Sequence, residues 1–566
     1  MGQPTGGDAS LPAPRAGLDL YDTTLRDGTQ REGVTLSVAD KLKVARRMDE
    51  LGVAFIEGGW PGANPKDTEF FGRAADGELA LANATLVAFG MTRGAGRAAE
   101  DDPLLAALVD ARTDVITLVG KSWGYHVDEA LGVAREENLA MVADSIAFLR
   151  AKGRRVMFDA EHFFDGMLRD RSYALDVVRA AAEAGAECVV LCDTNGGTMP
   201  WEVAPIVRDL VDELDCQVGL HFHDDGGCAV ANSLLGVEVG ATHVQGTANG
   251  LGERCGNANL FTILADLQLK RRIPLVPAAA LERLTEISHS VAELCNQSTP
   301  SVAPYVGHTA FSHKAGLHAS ALAKAPDMYQ HIDPVEVGNR QRLVVSELAG
   351  RANVAMKARE LGIAIDDGQA RAVLAEVKER EALGWSYEAA DASFELLLRR
   401  RAGLIGPADE PFTTLHFRVT VTGGDGLAGS TDAVVAGELQ AEAILAVAVG
   451  GEKRLGAGEG NGPVDALDHA FRNAVNGTWP QLDRVQLSDY KVRILEATAG
   501  TDATTRVLVT STDGERSWDT VGVHQNVVEA SWLALEDAYT HAILREGWSG
   551  AASGAPATGG AEGATA

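Results

Sequence analysis

Cysteine is scarce in this sequence, which has six cysteines among 566 residues. All six lie before residue 296, and no two are spaced as C-x-x-C. A sequence with so few thiols, unevenly placed, is not a disulfide-rich scaffold. We therefore expect a reduced, cytoplasmic protein.

Positive charge is also in short supply. The chain has 50 lysines and arginines against 79 aspartates and glutamates, which gives a formal net charge of -29. Such a charge repels nucleic-acid phosphates and anionic lipids, so we expect neither nucleic acid nor a membrane as a partner. An anionic substrate must then be held by local positive groups or by a metal.

Long apolar runs are missing. No uninterrupted stretch is long enough to span a bilayer, and residues 1–17 lack the apolar core of a secretory signal. A chain of 566 residues is too long for a single core, so about two or three domains are expected. The ends, residues 1–17 and 547–566, are rich in Gly, Ala, Pro and Ser, and we expect them to be disordered.

Eight short apolar runs alternate with helix-like stretches in the first half of the chain. Most are continuously apolar, which is typical of parallel strands buried on both faces. Eight such units in roughly 250 residues predict a (β/α)8 TIM barrel, an α/β fold, over residues 18–275. A doubly wound open sheet is the main alternative, although no G-x-G-x-x-G follows the first strand. The predicted strands are Leu18–Thr24, Ala54–Gly59, Thr85–Met91, Val115–Val119, Arg155–Glu161, Cys188–Asp193, Gln217–His223 and His243–Thr247.

The remainder of the chain has a different character. Residues 276–400 are mostly helical in pattern and predict linker subdomains. Residues 401–546 predict an α+β domain with a weak internal duplication, because strands and turns lead twice into one long helix, Pro463–Val475 and Asn526–Ile543. The glycine-rich segment before the first of these helices is predicted to be a turn. The domain shows no metal-ligand or nucleophile motif, so a binding or assembly role is favoured.

Two distant motifs contain candidate metal ligands. Asp27 follows the first predicted strand, and His221 and His223 end the seventh. In a closed barrel, strand 8 lies between strands 7 and 1, so these side chains meet on the rim where barrel active sites lie. A carboxylate with two imidazoles suits a borderline divalent metal. The alternative is a hydrogen-bonded rim network without metal.

Four further residues are candidates for the same rim. Asn257, in the loop after strand 8, is a candidate fourth ligand through its amide oxygen, or else it orders that loop. Arg26 is expected to clamp an anionic substrate or enolate, although it could instead be a structural ion-pair partner. Glu161 ends strand 5 and suits a general base or the carboxylate that orients one. Thr194 ends strand 6 and suits a substrate carboxylate; rim hydrogen bonding is the alternative for both.

Other reactive side chains carry weaker signals. Cys255 lies in the loop after strand 8 without a base nearby in sequence, so it is predicted to pack within the loop. His308, His313 and His318 lie outside the barrel in GHTAFSHKAGLHASAL. One of them could act over the site, but a histidine of this kind is more often structural.

Taken together, the motifs resemble those of a known enzyme family. The segments YDTTLRDGTQREG, IEGGWPGANPKD, CDTNGG, GLHFHDD and NGLGERCGNANL are similar to those of the acyl-CoA-condensing metal barrels, the isopropylmalate, homocitrate and citramalate synthases. The resemblance extends from about residue 18 to residue 541 and includes a domain similar to the regulatory domain of isopropylmalate synthases. The IEGGWPGANPKD segment resembles the citramalate synthase branch, which uses pyruvate.

The resemblance implies roles for individual residues. It makes Asp27, His221 and His223 metal ligands and places Asn257 near the fourth position. It makes Arg26 the residue that binds the keto acid and polarises its carbonyl. The remaining implied active-site residues are Glu161, Thr194 as a contact of the keto-acid carboxylate, and His318 and Tyr329, which in the family reach the active site of the other subunit.

The implied activity is a metal-dependent Claisen-type condensation. Acetyl-CoA and pyruvate would react on a divalent metal ion, Mn, Mg or Zn, and hydrolysis would release (R)-citramalate and CoA. The resemblance also implies a homodimer and feedback inhibition by isoleucine through the C-terminal domain. The alternatives are an isopropylmalate or homocitrate synthase with a longer keto acid, a hydroxymethylglutaryl-CoA lyase, which the long C-terminal domain disfavours, and a non-catalytic ligand sensor.

Overall fold

The computed structural model describes residues 17–298, 301–313, 318, 321–322, 325, 328–343, 350–422, 440–495 and 503–548. The ends expected to be disordered fall almost wholly outside these residues. The chain divides into two compact units. The first comprises Met1–Phe311 with His331–Gln341, and the second comprises Ser312–Gln330 with Arg342–Ala566.

The first unit contains a closed barrel of eight parallel strands. This confirms the predicted (β/α)8 architecture. Each strand pairs with the next, and β1 also pairs with β8 through Leu20↔Val244 and Tyr21↔Gln245, which closes the ring. The strands are β1 Asp19–Asp22, β2 Phe55–Gly59, β3 Thr85–Met91, β4 Val115–Lys121, β5 Arg155–Glu161, β6 Cys188–Asp193, β7 Gln217–Phe222 and β8 His243–Gly246.

The observed strand ends differ from the predicted ones in two places that affect the site. β4 continues past its predicted end to Lys121. β7 ends at Phe222, because His223 forms an isolated antiparallel bridge with Asn257 in the loop after β8. Both changes concern residues at the carboxyl end of a strand, where the sequence of the next loop decides how far the ladder continues.

A cluster of apolar side chains fills the barrel interior. It comes mostly from the first half of the strands, so the lumen is packed below the carboxyl ends and is not a pore. The members of this cluster are Tyr21, Phe55, Val87, Val115, Met157, Cys188, Val190 and Cys192.

Helices follow the strands and cover the barrel. The first begins after Ser37, whose hydroxyl accepts a hydrogen bond from Asp40 N at 3.2 Å, and is followed by Gly52 with φ of +94°. Ser37 and Gly52 thus cap the two ends of the helix, and an N-cap of this kind contributes about 1 kcal/mol. The helices of this unit are α1 Val38–Leu51, α2 Pro65–Arg73, α3 Pro103–Asp110, α4 Gly124–His126, α5 Arg135–Ala151, α6 Phe163–Arg169, α7 Arg171–Glu183, α8 Pro200–Glu213, α9 Ala229–Glu238, α10 Leu260–Ala265, α11 Ala278–Leu281 and α12 Leu284–Leu294.

The second unit begins with a small helical group. Its helices α13 Arg351–Glu360, α14 Asp367–Ala382 and α15 Asp391–Arg401 enclose a core that includes Val373 and Phe394. Two short parallel strands, β9 Ser312–His313 and β10 Arg342–Leu343, belong to the same unit. Among the described helices of the chain, none combines the length and apolar character needed to cross a bilayer.

The C-terminal part repeats one motif twice, which confirms the predicted duplication. Each copy is a three-stranded antiparallel sheet followed by a helix. The elements are β11 Thr413–Thr422, β12 Gln440–Val449, β13 Glu452–Gly460 and α16 Pro463–Val475 in the first copy, and β14 Gln486–Ile494, β15 Thr505–Thr512, β16 Ser517–His524 and α17 Val527–Trp548 in the second.

The prediction was wrong for the glycine-rich segment before α16, which is strand β13 and not a turn. Its glycines are needed for packing. A Cβ at Gly456 would lie 2.0 Å from Ala470 O, and one at Gly458 would lie 2.3 Å from Ala470 N. The helix backbone therefore lies directly on the strand, which only glycine permits.

Candidate active site

Three buried side chains converge where β1 and β7 end. Asp27 Oδ2 lies 3.2 Å from His221 Nε2 and 3.5 Å from His223 Nε2. The two Nε2 atoms are 3.3 Å apart. The structure therefore brings together the three predicted ligand residues, with one oxygen and two nitrogens facing a common point. Among the described residues, this is the one group of His, Cys, Asp and Glu side chains whose ligand atoms all lie within 4.8 Å of one another.

Gln245 on β8 orients the first of these imidazoles. Its Nε2 donates to Asp159 Oδ1 at 3.0 Å, so its Oε1 is left to accept from His221 Nδ1, at 2.8 Å. Nδ1 therefore carries a proton, and Nε2 is the nitrogen that can bind a cation. A second hydrogen bond of this kind is the usual support of a metal-binding histidine.

Burial and charge together set the protonation of the cluster. Burial would raise the pKa of Asp27, but Arg26 and the two imidazoles hold it below its usual value. Burial would lower the pKa of His221, but Asp27 raises it above its usual value. Burial, with the nearby His221, lowers the pKa of His223 to about 4. The group is thus an anionic carboxylate with a neutral His223, which favours a cation.

Asn257, the predicted fourth ligand, lies in the loop after β8 and forms a backbone bridge with His223. Its Nδ2 donates to Leu251 O at 3.2 Å, and its Oδ1 is buried without a hydrogen-bond donor among the described residues. The loop approaches closely at Gly252, where a Cβ would lie 2.2 Å from Asn257 Nδ2. Buried oxygens are seldom left unpaired. One carboxylate, two imidazole nitrogens and an orphaned amide oxygen fit a divalent ion.

Arg26 is held rigidly beside this group. Its Nε donates to Glu57 Oε1 at 2.5 Å, and its guanidinium lies 3.9 Å from the centre of the Phe89 ring. Its Nη1 lies 3.4 Å from Asp27 Oδ1. These contacts fix the orientation of the guanidinium, which lines the cavity beside Asp27.

Glu57, which sequence reasoning missed, is the anchor of this arrangement. It is fully buried on β2 and accepts hydrogen bonds from the Tyr21 hydroxyl, from Thr23 Oγ1 and from Arg26. The sequence does contain a signal for it, since Glu57 is a charged residue inside an otherwise apolar strand. A buried carboxylate needs hydrogen-bonding partners, so such a residue indicates a polar contact inside the barrel. Asp159 and Gln245 were missed for the same reason: each is a polar residue within a strand otherwise read as core.

A cavity of about 210 Å³ opens over these residues. Most of the residues that line it are polar or charged, and its apolar lining includes Trp60, Phe89 and Val119, here called the apolar wall. Trp60 and Phe89 meet edge to face, with ring centres 5.6 Å apart. The cavity therefore offers charged groups to one part of a ligand and a rigid apolar wall to another.

Glu161 and Thr194 also line this cavity. The Glu161 carboxylate forms an ion pair with Lys121, at the end of β4. Thr194 Oγ1 accepts from His162 N at 2.9 Å, so its own hydroxyl proton is left to donate. Arg254, near Thr194, is held by Asp225 at 2.8 Å and donates to Thr194 O at 2.7 Å. The structure therefore places both predicted residues in the cavity.

The remaining candidates are not among the residues that line this cavity. His318 and Tyr329 belong to the second unit, where their rings stack at 4.0 Å between centres. His313 lies 6.2 Å from His318, again between ring centres. Cys255 is exposed, so the prediction that it packs within its loop was wrong.

Three parts of the chain match known protein families. Residues 17–291 match the HMGL-like family. Residues 305–383 match the homocitrate synthase post-HMGL domain-like family. Residues 388–543 match the LeuA allosteric (dimerisation) domain.

Curated relatives match the chain over nearly its whole length. It is 52% identical to the (R)-citramalate synthase of Streptomyces coelicolor, over 93% of this chain and 97% of that protein. It is 48% identical to the (R)-citramalate synthase of Synechocystis, over 94% and 96%. It is 33% identical to a probable 2-isopropylmalate synthase of Methanopyrus kandleri, over 91% and 96%.

Proposed function

This chain belongs to the (R)-citramalate synthase family and is an acyl-CoA-condensing transferase, and on that premise we propose that it makes (R)-citramalate from pyruvate and acetyl-CoA. Water hydrolyses the condensed thioester, so the products are (R)-citramalate and CoA. The observation that carries the proposal is the meeting of Asp27, His221 and His223 with the anchored Arg26 at one cavity. We further propose that this is the first step of a pyruvate route to isoleucine.

The proposed metal ligands are Asp27, His221, His223 and Asn257. Their buried, unpaired oxygens and the orientation of His221 support this assignment. A divalent ion such as Mn, Mg or Zn, when bound there, would supply Lewis acidity toward the keto acid.

Arg26 and Thr194 are proposed to bind the keto acid. The Arg26 guanidinium is fixed by Glu57 and Phe89, so it can stabilise the oxygen that becomes an alkoxide without having to reorganise. The hydroxyl proton of Thr194 is left to donate to the substrate carboxylate, since Thr194 Oγ1 already accepts from His162 N. These contacts would hold the keto acid with its keto carbon toward the part of the cavity that receives the acetyl group.

Glu161 is proposed to take the methyl proton of acetyl-CoA, because it lines the cavity and ends β5, two residues beyond Asp159, which also lines the cavity. The carbon of the resulting enolate attacks the keto carbon, and the thioester is then hydrolysed. His318 and Tyr329 are proposed to complete the acid–base groups, delivered by the partner subunit. Their ring stacking supports joint action.

The apolar wall supports a small keto acid. A space of about 210 Å³ must hold the keto acid and the acetyl group together, with Trp60, Phe89 and Val119 against the substrate methyl. The alternative, a longer keto acid as in isopropylmalate synthases, keeps some support from the 33% identity to a relative of that name. The lyase alternative is disfavoured by the match of residues 388–543 to a regulatory domain.

The C-terminal domain is proposed to bind isoleucine and to join two chains into a homodimer. A cavity of about 340 Å³ lies within it. Asp468 and Arg472 form an ion pair at 2.8 Å, and in the proposed complex Asp468 would also accept from the ammonium of the amino acid while Arg472 contacts its carboxylate. Leu535 would contact the side chain of the amino acid. Exposed apolar side chains on the sheets, such as Leu455 and Ile494, support burial against a second copy.

The proposed domains are a catalytic barrel over residues 18–275, a linker over residues 276–400 and a regulatory domain over residues 401–546. The matched families support a division close to these limits. The six free thiols support a reducing compartment such as the cytoplasm.

A keto-acid panel tests the proposed reaction. The full-length chain, supplied with acetyl-CoA and a divalent metal, should release free thiol fastest with pyruvate and yield citramalate. A higher kcat/KM with 2-oxoisovalerate would instead make the chain an isopropylmalate synthase. Thiol release without any keto acid would show a hydrolase and contradict both assignments.

A further inference from the structure

One side of the barrel rim holds a residue to which the proposed reaction gives no role. Strands β1, β7 and β8 carry the metal ligands or the loop that holds one, β2 and β3 lead to most of the apolar wall, and β6 leads to Thr194. The remaining side is formed by the ends of β4 and β5, where Glu161 is the proposed base and Lys121 has no assigned part. The thioester of acetyl-CoA must also lie somewhere on this rim, close to the group that takes its methyl proton.

Strand geometry places Lys121 at this side of the rim. Val119 on β4 and Asp159 on β5 both line the cavity and are paired in register. Lys121 and Glu161 lie two residues further along the same strands and are also paired in register. Because side chains two apart share a face, Lys121 and Glu161 form the next layer up, at the cavity mouth.

Lys121, which pairs with the cavity residue Glu161, differs from the two arginines that line the cavity. Arg26 is held by Glu57 and Arg254 by Asp225, each through a short charged contact. Lys121 has an ion pair with Glu161, the residue proposed to become neutral during the reaction. Its side chain is 25% exposed, so it is accessible to a substrate entering from the mouth. An ammonium has three N–H donors, so the ion pair with Glu161 leaves donors for a ligand.

We propose that Lys121 binds the thioester oxygen of acetyl-CoA and stabilises the enolate formed there. The proposal rests on the proposed function in taking acetyl-CoA as the substrate and Glu161 as the base. Before proton transfer the ammonium pairs with the Glu161 carboxylate. Afterwards Glu161 is neutral, the negative charge lies on the enolate oxygen, and Lys121 pairs with that oxygen.

The step balances without any further reactant. A C–H bond of the acetyl methyl group breaks, and its proton goes to a Glu161 oxygen. The electron pair of that bond forms the carbon–carbon double bond of the enolate, while the carbonyl π pair moves onto oxygen. A cation placed between the old and new positions of the charge lowers the energy of the transition state more than that of the bound substrate.

Steady-state kinetics of Lys121→Met and Lys121→Arg test the proposal. Lys121→Met should lower kcat by about 100-fold, as loss of one oxyanion donor does, and should raise KM for acetyl-CoA while leaving KM for pyruvate unchanged. Lys121→Arg should recover part of kcat. Lys43→Met, at an exposed helical lysine that also pairs with a carboxylate, is the control and should behave as wild type. Unchanged kinetics in Lys121→Met, or a change confined to KM for pyruvate, would overturn the proposal.

A second measurement distinguishes direct binding of acetyl-CoA by Lys121 from an effect of Lys121 on the orientation of Glu161. In a Glu161→Gln background there is no carboxylate to orient, so adding Lys121→Met should still weaken calorimetric binding of acetyl-CoA by about 10-fold if Lys121 touches the thioester. Equal affinities in the single and double variants would overturn the proposal. If wild type prefers a longer keto acid, the proposed substrate is wrong, but these comparisons are made with that keto acid and still decide the role of Lys121.

Discussion

His221 Nδ1 lies 2.8 Å from the amide oxygen of Gln245, and this one contact connects the candidate metal group to the interior of the barrel. The Gln245 amide in turn donates to the buried Asp159 on β5. The imidazole therefore cannot turn without breaking a buried hydrogen bond, and its Nε2 stays directed toward Asp27.

Replacing Gln245 by leucine should weaken metal binding. The variant keeps the volume but removes the acceptor that orients His221, so we expect affinity for Mn²⁺ to fall by about 10–100-fold. Calorimetric titration of chelator-treated protein measures this. Gln217→Leu is the control, because Gln217 begins β7 and donates to Asp19 and to Thr242 O, away from the site. Equal affinity in Gln245→Leu and Gln217→Leu would refute the role of Gln245.

Glu57→Gln should impair use of the keto acid. The change keeps the shape but removes the charge that fixes Arg26, so we expect kcat/KM for pyruvate to fall by about 10–100-fold. KM for acetyl-CoA should stay constant, since Glu57 acts through Arg26. Steady-state kinetics with each substrate varied in turn measure both. Glu187→Gln, at an exposed carboxylate paired with Arg155, should leave all values unchanged; a uniform loss across both substrates in Glu57→Gln would point to misfolding instead.

Metal binding should release a proton near neutral pH. Because Asp27 raises the pKa of His221, the metal-free protein keeps this imidazole protonated above the usual range, and a cation must displace that proton. Affinity should therefore rise by about tenfold per pH unit up to the pKa of His221 and then level off. His223, with a pKa of about 4, should contribute nothing above pH 6.

Calorimetry in buffers of different ionisation enthalpy measures this proton release directly. The His221→Ala variant should lose both metal-dependent activity and the pH dependence of any residual metal binding. Full activity of that variant in metal-stripped buffer would show that the group does not bind the catalytic metal.

The barrel could be predicted because its signals are local. Eight apolar runs mark strands buried on both faces, and the closure of strand 1 on strand 8 follows from their number. That closure alone was enough to predict that Asp27 would meet His221 and His223. The contacts of Glu57 with Tyr21 and Arg26 depend instead on which residues of neighbouring strands point into the barrel at the same level along its axis. A sequence pattern does not specify this.

The strand β13 was missed for a related reason. Its sequence, EKRLGAGEG, has few apolar residues and three glycines, so it lacks every local strand signal. It is a strand because it pairs along β12 and because α16 lies against Gly456 and Gly458. The second copy uses the same device, since a Cβ at Gly522 on β16 would lie 2.0 Å from Ala530 O on α17.

Filling the C-terminal cavity should remove the proposed inhibition by isoleucine. Leu487 lines that cavity and is 46% exposed, so tryptophan can extend into the space without disturbing the buried core. We expect the concentration of isoleucine for half inhibition to rise at least about tenfold in Leu487→Trp, because the indole occupies the volume that the effector side chain needs. Inhibition curves at fixed substrate concentration measure this.

The matched control for this cavity is Leu404→Trp. Leu404 is also an exposed leucine of the second unit, but it lies between α15 and β11, on none of the sheets, and does not line the cavity. It should therefore keep the inhibition of wild type. If Leu487→Trp is inhibited as strongly as Leu404→Trp, isoleucine does not bind in this cavity. If neither variant nor wild type responds to isoleucine, the regulatory proposal fails for this chain, while the assignments of the barrel residues, which do not depend on the C-terminal cavity, are unaffected.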